Sequence, residues 1–361
     1  MFNKKSLLSW FSIGCRIALV SLLLLILAGG IVRSSGSGMG CPDLPKCFNR
    51  LIPPTQEKDL PLGYEQKYLE KRILKNIRLS KLFGKLGFKE LSDKIFLDPS
   101  IRKIEPFNVW NTWTEYINRL VGMLTGLVFL GLFIMSIGLW KIDSSLFWLS
   151  GLNLLLIGIQ ALVGSWVVST HLLSGLISFH MMLALLILII LLGIYGKVYF
   201  SHLEPNSSNN HIGKFIPYFL MAIVLINGIQ ILLGTLVRES LDGHTLPLIN
   251  AENFLDWAGD YFPLHRMLSF LLLALNVYLG IYFWKEKDKN QIIYKQARIS
   301  LIILIVQIIL GLSLVWGPLP PFSQALHVFF AVLLFSSQVW TFMIWIGLYK
   351  APRQNIRLRY A

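Results

Sequence analysis

Long apolar runs separated by short polar connections fill most of the 361-residue chain. Eight of them are predicted to span a bilayer, at roughly 11–33, 115–140, 145–168, 176–200, 213–237, 261–284, 295–316 and 322–348. Each is close to the ~20 residues that a hydrocarbon core requires of a helix. The stretch between the first two runs has another pattern. There Leu69, Ile73 and Ile77 recur every fourth residue, with Lys71, Arg72, Lys75 and Arg78 between them. That spacing predicts one or two amphipathic helices over roughly 64–95, on the outer membrane surface. A solvated insertion without chemistry explains the stretch better than a partner-binding role. Ahead of it, Gly36, Gly38 and Gly40 with Pro42, Pro45, Pro53 and Pro54 predict tight turns.

The polar positions inside the apolar runs repeat. His265 and His327 each open a long run, and their separation in the chain equals that of Asn118 and His180. One offset of 147 carries Asn118 onto His265, Arg119 onto Arg266, Gln160 onto Gln307 and His180 onto His327. Gly164 and Gly311 precede the histidine of their half by the same interval. An offset of 205 carries the stretch ending in Arg33 onto that ending in Arg238, so the first outer loop exceeds its counterpart by the difference between the two offsets. This is an internal duplication. It predicts an all-α polytopic membrane protein of two pseudo-symmetric four-helix bundles, residues 1–200 with a long outer loop at 34–114, and residues 201–361.

Composition agrees: 55% of residues are apolar and 14% charged. The net charge of +14 sits mainly in loops. Anionic membrane lipids are its simplest partner, and no stacking platform or basic groove suggests nucleic acid. The dense basic residues of Lys285–Arg298 and of the tail Lys350–Arg359 put both termini on the cytoplasmic side. The N-terminal run has no small-residue cleavage site and reads as a retained first helix. Short cytoplasmic loops favour a bacterial inner membrane.

Polar groups in an apolar setting are costly unless they serve a purpose. Two imidazoles at similar depth on facing helices, His265 and His327, can hold a heme iron from both sides. A zinc site lacks further ligands nearby. A backbone-bonded or water-bonded pair is the plain alternative. Arg266 and Arg119, like Arg33 and Arg238, can meet a heme propionate or reach the lipid headgroups. Gln160 and Gln307 read as helix-helix hydrogen bonds. In the first half, Glu115 and Asn118 share a helix face and look into one site with His180. A heme held by His180 alone would have an open face, where a buried carboxylate could manage protons. The plain reading puts Glu115 in the interface beside Trp110 and Trp113. His171 is a further ligand candidate, more simply a solvent-facing loop residue. Cys41 and Cys47 can close a disulfide, as a loop staple or as a redox pair. Cys15 reads as inert packing.

Together these motifs resemble the heme A synthase family. The resemblance rests on Gly29 to Gly38 with Cys41 to Cys47, on Trp113 to Arg119, on Gln160 to Gly164, and on His180, His265, Arg266 and His327. It covers nearly the whole chain except 58–105. It implies a cofactor heme b between His265 and His327, and heme O as substrate in the N-terminal bundle. There the C8 methyl group would be oxidised to a formyl group by two hydroxylations and loss of water, for cytochrome c oxidase assembly. It implies a catalytic role for Glu115, a functional Cys41–Cys47 pair, heme O synthase as the supplier and an electron acceptor, with the heme sites toward the outer side. A homo-oligomer stays open. The family's usual histidine is replaced by Asn118. Three accounts then stand: a substrate heme five-coordinate on His180, one weakly six-coordinate through Asn118 or water, or a divergent member that no longer makes heme A. The competing readings are a b-type cytochrome that only relays electrons and a heme transporter or assembly factor.

Overall fold

A computed structural model describes residues 4–43, 46–201, 215–242, 254, 256–285, 291–316 and 320–347. The connections 202–214, 243–253, 286–290 and 317–319 lie outside the described residues. So do Leu44, Pro45 and the basic tail Lys350–Arg359.

Among the described residues, ten α-helices follow in order: α1 Lys4–Ser34, α2 Tyr64–Lys85, α3 Lys89–Leu97, α4 Val109–Ile137, α5 Ser144–Ser169, α6 Leu176–Ser201, α7 Ile216–Leu241, α8 Tyr261–Lys285, α9 Gln291–Trp316 and α10 Pro321–Trp345. All except α2 and α3 are long and apolar enough to cross a membrane, as the eight apolar runs predict. This is a multi-pass membrane protein.

The bounds move where capping decides them. The Asn108 side chain accepts a hydrogen bond from Asn111 N at 3.0 Å, so α4 starts at Val109, ahead of its apolar run. Asp143 Oδ1 accepts from Ser145 N at 3.0 Å and opens α5. Trp110 and Trp113 therefore lie within the first turns of α4.

The helix contacts include two circuits, or rings, of four. Helix α1 packs on α4, α4 on α5, α5 on α6, and α6 back on α1. Helix α7 packs on α8, α8 on α9, α9 on α10, and α10 back on α7. Helix α10 also meets α1 and α6, and α6 meets α7. Helices α6 and α10 are the most enclosed, with 50% and 56% of their apolar windows buried against 28% or less elsewhere. These two carry His180 and His327. Phe11 and Leu22 of α1, Phe129 of α4, Leu188 of α6 and Phe335 of α10 share one apolar cluster. Cys15 is buried in it as a free thiol, in keeping with inert packing.

The amphipathic stretch folds as the hairpin α2–α3. Gly87 at φ +90° makes the turn. Ser80 and Ser92 exchange hydrogen bonds through their backbone oxygens at 2.8 and 3.0 Å. The buried face includes Leu79, Phe83 and Ile95, and Phe83 meets Trp166 near the end of α5 edge-on at 5.4 Å. Lys71, Lys75 and Arg78 line the opposite, more open side. The hairpin thus sits at the end of the molecule where α5 finishes and α6 begins.

Candidate functional site

At that same end, a glycine on one helix faces each repeated polar residue on the next. A methyl group added at Gly164 of α5 would lie 3.3 Å from His180 Cε1 of α6. At Gly234 of α7 it would lie 3.0 Å from His265 Cε1 of α8, and at Gly311 of α9 3.1 Å from His327 Cε1 of α10. At Gly29 of α1 it would lie 4.0 Å from Asn118 Oδ1 of α4. Small residues let the backbones approach, and the imidazoles fill the space.

A glutamine one helical turn before the glycine completes three of these corners. Gln160 Nε2 donates to the His180 carbonyl at 3.1 Å, and Gln230 Nε2 donates to that of His265 at 2.9 Å. Gln307 Nε2 lies 3.2 Å from His327 Nε2, to which it donates. Gln160 and Gln307 thus make the helix-helix bonds that their positions suggest. Gln230 is not among the sequence candidates. Its signal is the pair Gln230 and Gly234, which repeats Gln160 with Gly164 and Gln307 with Gly311. At the fourth corner, Leu25 stands one turn before Gly29 and offers no donor.

His265 and His327 face each other with ring centroids 6.4 Å apart. His265 Nδ1 donates to the Gln230 carbonyl at 3.1 Å, which fixes the proton there and leaves Nε2 as the acceptor nitrogen. Gln307 donates to His327 Nε2, so that nitrogen is also without a proton. The separation suits one metal atom bonded to both rings, since two metal–imidazole bonds take up about 2.0–2.1 Å each. Among the described residues, no group of three or more His, Cys, Asp and Glu is placed to hold a metal ion. Two imidazoles on facing helices fit an iron whose remaining ligands come with it, as in heme. His180 Nδ1 and His327 Nδ1 are buried without a partner.

Glu115 and Asn118 both turn toward α1 and the segment after it. Asn118 Oδ1 is buried without a partner, close to Gly29. Glu115 is 2% exposed and engaged at both oxygens. Oε2 accepts from Cys41 N at 2.8 Å, and Oε1 pairs with Arg119 one turn on. Arg119 also donates to the carbonyls of Cys41 at 2.8 Å and Asp43 at 2.5 Å. Its guanidinium braces the loop against α4.

Cys41 and Cys47 form a disulfide. Both are 0% exposed, under Phe48, Tyr64 and Tyr68. Phe48 meets Tyr68 edge-on at 5.4 Å and Phe107 at 5.6 Å. Desolvation in this cover, aided by Asp43, pushes the Tyr68 hydroxyl up to about 12. A buried bond of this kind fits a staple. The loop lies so close to α4 that a Cβ on Gly40 would overlap the Asn111 carbonyl. Thr112 Oγ1 donates to the Gly40 carbonyl at 2.9 Å.

The remaining candidates have partners within the chain. Arg33 and Arg238 share the carboxylate of Asp242, Arg33 at 2.7 Å, which joins α1 to the end of α7. Arg238 Nε also donates to Gln324 Oε1 at 3.0 Å. Arg266 is exposed, with its guanidinium 5.9 Å from the Phe262 ring centre. His171 is not solvent-facing: Nε2 lies 3.2 Å from Glu105 Oε1, and its side chain is 16% exposed.

Comparison with known proteins places the chain's sequence in a family. The family described as cytochrome oxidase assembly protein, COX15-CtaA, matches residues 13–84 and 104–339. The chain belongs to that family. Several curated relatives of this COX15-CtaA member align with nearly its whole length. The heme A synthase of Wolbachia pipientis wMel is 26% identical over 345 residues, 89% of this chain and 88% of the relative. That of Rickettsia prowazekii (strain Madrid E) is 24% identical over 93% of this chain and 96% of the relative. That of Bacillus licheniformis is 22% identical over 94% and 97%. No solved structure matches the chain. The expected break at 58–105 narrows: within it the family match includes α2 up to residue 84 and leaves out 85–103, which holds α3.

Proposed function

We propose that this COX15-CtaA member is a heme A synthase, an oxidoreductase that oxidises the C8 methyl group of heme O to a formyl group for cytochrome c oxidase assembly. The observation that carries this is the His265–His327 pair at 6.4 Å, with both Nε2 atoms free of protons, in a chain similar along its length to heme A synthases. We read the two rings as pseudo-symmetric halves, 1–200 and 201–361. The second would hold heme b between His265 and His327, and bound heme b would supply an iron that passes electrons onward. The first would receive heme O on His180, with substrate from a heme O synthase and electrons leaving to an acceptor. We read the site end as the outer side of a bacterial inner membrane, with both termini cytoplasmic.

Within this reading Glu115 handles protons in the first ring. Arg119 and Cys41 N hold its carboxylate in place, and the disulfide holds Cys41 in turn. Arg266, exposed at the mouth of the second ring, is the arginine freest to meet a propionate.

The same contacts favour a second reading. Glu115 engaged at both oxygens is also what a loop anchor requires, and a b-type cytochrome that relays electrons would need no more. The test is co-expression with a heme O synthase in a host that makes no heme A, followed by extraction and mass identification of the pigments. Heme A or its hydroxylated precursor is expected. Heme B alone, with heme O unconsumed in folded protein supplied with an acceptor, would support the cytochrome. Glu115→Gln is expected to retain heme and lose heme A formation; unchanged formation would end its catalytic assignment.

A further inference from the structure

Three of the four corners share a construction that the fourth lacks twice over. Gln160 with Gly164, Gln230 with Gly234 and Gln307 with Gly311 each face a histidine on the next helix. At the fourth, Leu25 stands in place of the glutamine and Asn118 in place of the histidine. The two changes are complementary: the ring is gone, and so is the amide that would have bonded it. The space differs as well. Opposite Gly164, Gly234 and Gly311, ring carbons come within 3.0–3.3 Å of an added methyl group; opposite Gly29, Asn118 Oδ1 comes only to 4.0 Å. The shorter amide leaves the corner less filled. Leu25 Cδ1 instead lies 3.6 Å from where a methyl group on Gly122 of α4 would be, so it packs on the helix that carries Asn118.

Asn118 Oδ1 is buried and has no donor. The same holds for Gln160, Gln230 and Gln307 Oε1 at the other corners, and a buried acceptor of this kind can take a hydrogen bond from a bound group. A carboxamide oxygen is not among the side chains that hold heme iron. It is, however, a good acceptor for a water or hydroxyl group.

We propose that the Leu25–Gly29–Asn118 corner leaves one face of the first-ring heme without a protein ligand, with Asn118 Oδ1 accepting a hydrogen bond on that face. His180 would then be the only side chain of that ring to hold the iron. This rests on the reading that the first ring receives heme O. It distinguishes the two rings: one closed at both faces by imidazole, one open at the corner where the repeat is broken.

The test uses full-length ferric protein purified from a host that supplies heme B and heme O, read by electron paramagnetic resonance and optical spectra. Wild type is expected to show a low-spin signal from His265 and His327 and a separate high-spin signal. Added imidazole should convert the high-spin signal to low-spin. Asn118→His should itself convert most of that signal, and Leu25→Gln with Asn118→His should abolish the response to imidazole. If these variants do not fold, the wild-type titration decides alone. A heme O–loaded protein with no high-spin signal, or with one that ignores imidazole, overturns the proposal. Heme B without any first-ring heme overturns it together with the reading it rests on. A high-spin signal that responds to imidazole in a protein that never forms heme A upholds the open face and removes only the enzyme assignment.

Discussion

Repeat-equivalent positions in the two rings carry opposite chemistry at both depths of the bundle. Away from the site end, Leu22, Phe129 and Leu191 of the first ring are buried in one apolar cluster. Their equivalents in the second ring are Asn227, Asn276 and Gln338, equally buried. Asn227 Nδ2 donates to Gln338 Oε1 at 2.8 Å, and Gln338 Nε2 donates to Asn276 Oδ1 at 3.3 Å. At the site end the polarity reverses. The first ring has Glu115 and Arg119 bonded to a stapled loop, where the second has Phe262 under Arg266. A four-helix ring with glycine-facing corners therefore tolerates either filling at either depth. The backbone repeat sets where side chains meet, and each half chooses its own chemistry there.

Breaking the first-ring network should have the largest effect. Arg119→Ala leaves Glu115 buried and unpaired and frees the carbonyls of Cys41 and Asp43. Loss of one partner of a buried pair costs about 3–5 kcal/mol. Thermal unfolding in detergent should show this, with the His265–His327 heme outlasting the first-ring heme; Arg266→Ala should change stability little. An equal effect of the two would remove the contrast between the rings.

The disulfide comes next. Closing so short a loop is worth about 2 kcal/mol in the chain-entropy model. Cys41→Ser with Cys47→Ser should lower the unfolding midpoint, and mild reductant with a thiol reagent should label neither cysteine until the protein unfolds. Rapid labelling of folded protein would mean that Phe48, Tyr64 and Tyr68 do not seal the bond.

Exchanging the inner fillings is a smaller change. Gln338→Leu strands Asn227 and Asn276 and should cost about 1–2 kcal/mol. Adding Asn227→Leu and Asn276→Phe copies the first ring and should recover most of that loss. If the triple variant is worse than the single, the fillings are not interchangeable.

The smallest effect is at the insertion. The His171 hydrogen bond, with the charges of His171, Arg72 and Lys103, holds the Glu105 carboxyl below its usual value of 4.5 against the opposing effect of burial. A depressed carboxyl contributes stability above that value and loses it as pH falls below it. Hydrogen exchange over 98–107 should quicken modestly on acidification below that value, and Glu105→Gln should flatten the dependence.

Much of the scaffold was legible because bilayer helices must be long and apolar. All eight runs form helices, and the i, i+4 spacing of Leu69, Ile73 and Ile77 marks α2. The start of α4 is not legible in this way, because Asn108 capping, rather than hydrophobicity, sets it. The histidines were legible as polar residues kept in register by the duplication. Gln230 escapes because the long α7–α8 connection separates it from His265, whereas Gln160 and His180 are joined by a short turn. The bond between Glu115 and Arg119 follows from i, i+4 spacing, but the loop carbonyls that share the guanidinium come from a distant part of the chain, before the inserted hairpin. Asp242 between Arg33 and Arg238, and Glu105 on His171, are also long-range pairings that no local pattern announces.

The central claim is that the two rings hold different hemes through different histidines. Its most direct measurement is the pigment inventory of His180→Ala and His327→Ala, purified from a host that makes both heme B and heme O. His327→Ala is expected to lose heme B and keep heme O or heme A; His180→Ala is expected to do the reverse. If either variant lost both pigments equally while still folded, or if neither lost any, the assignment of one heme to each ring would be contradicted.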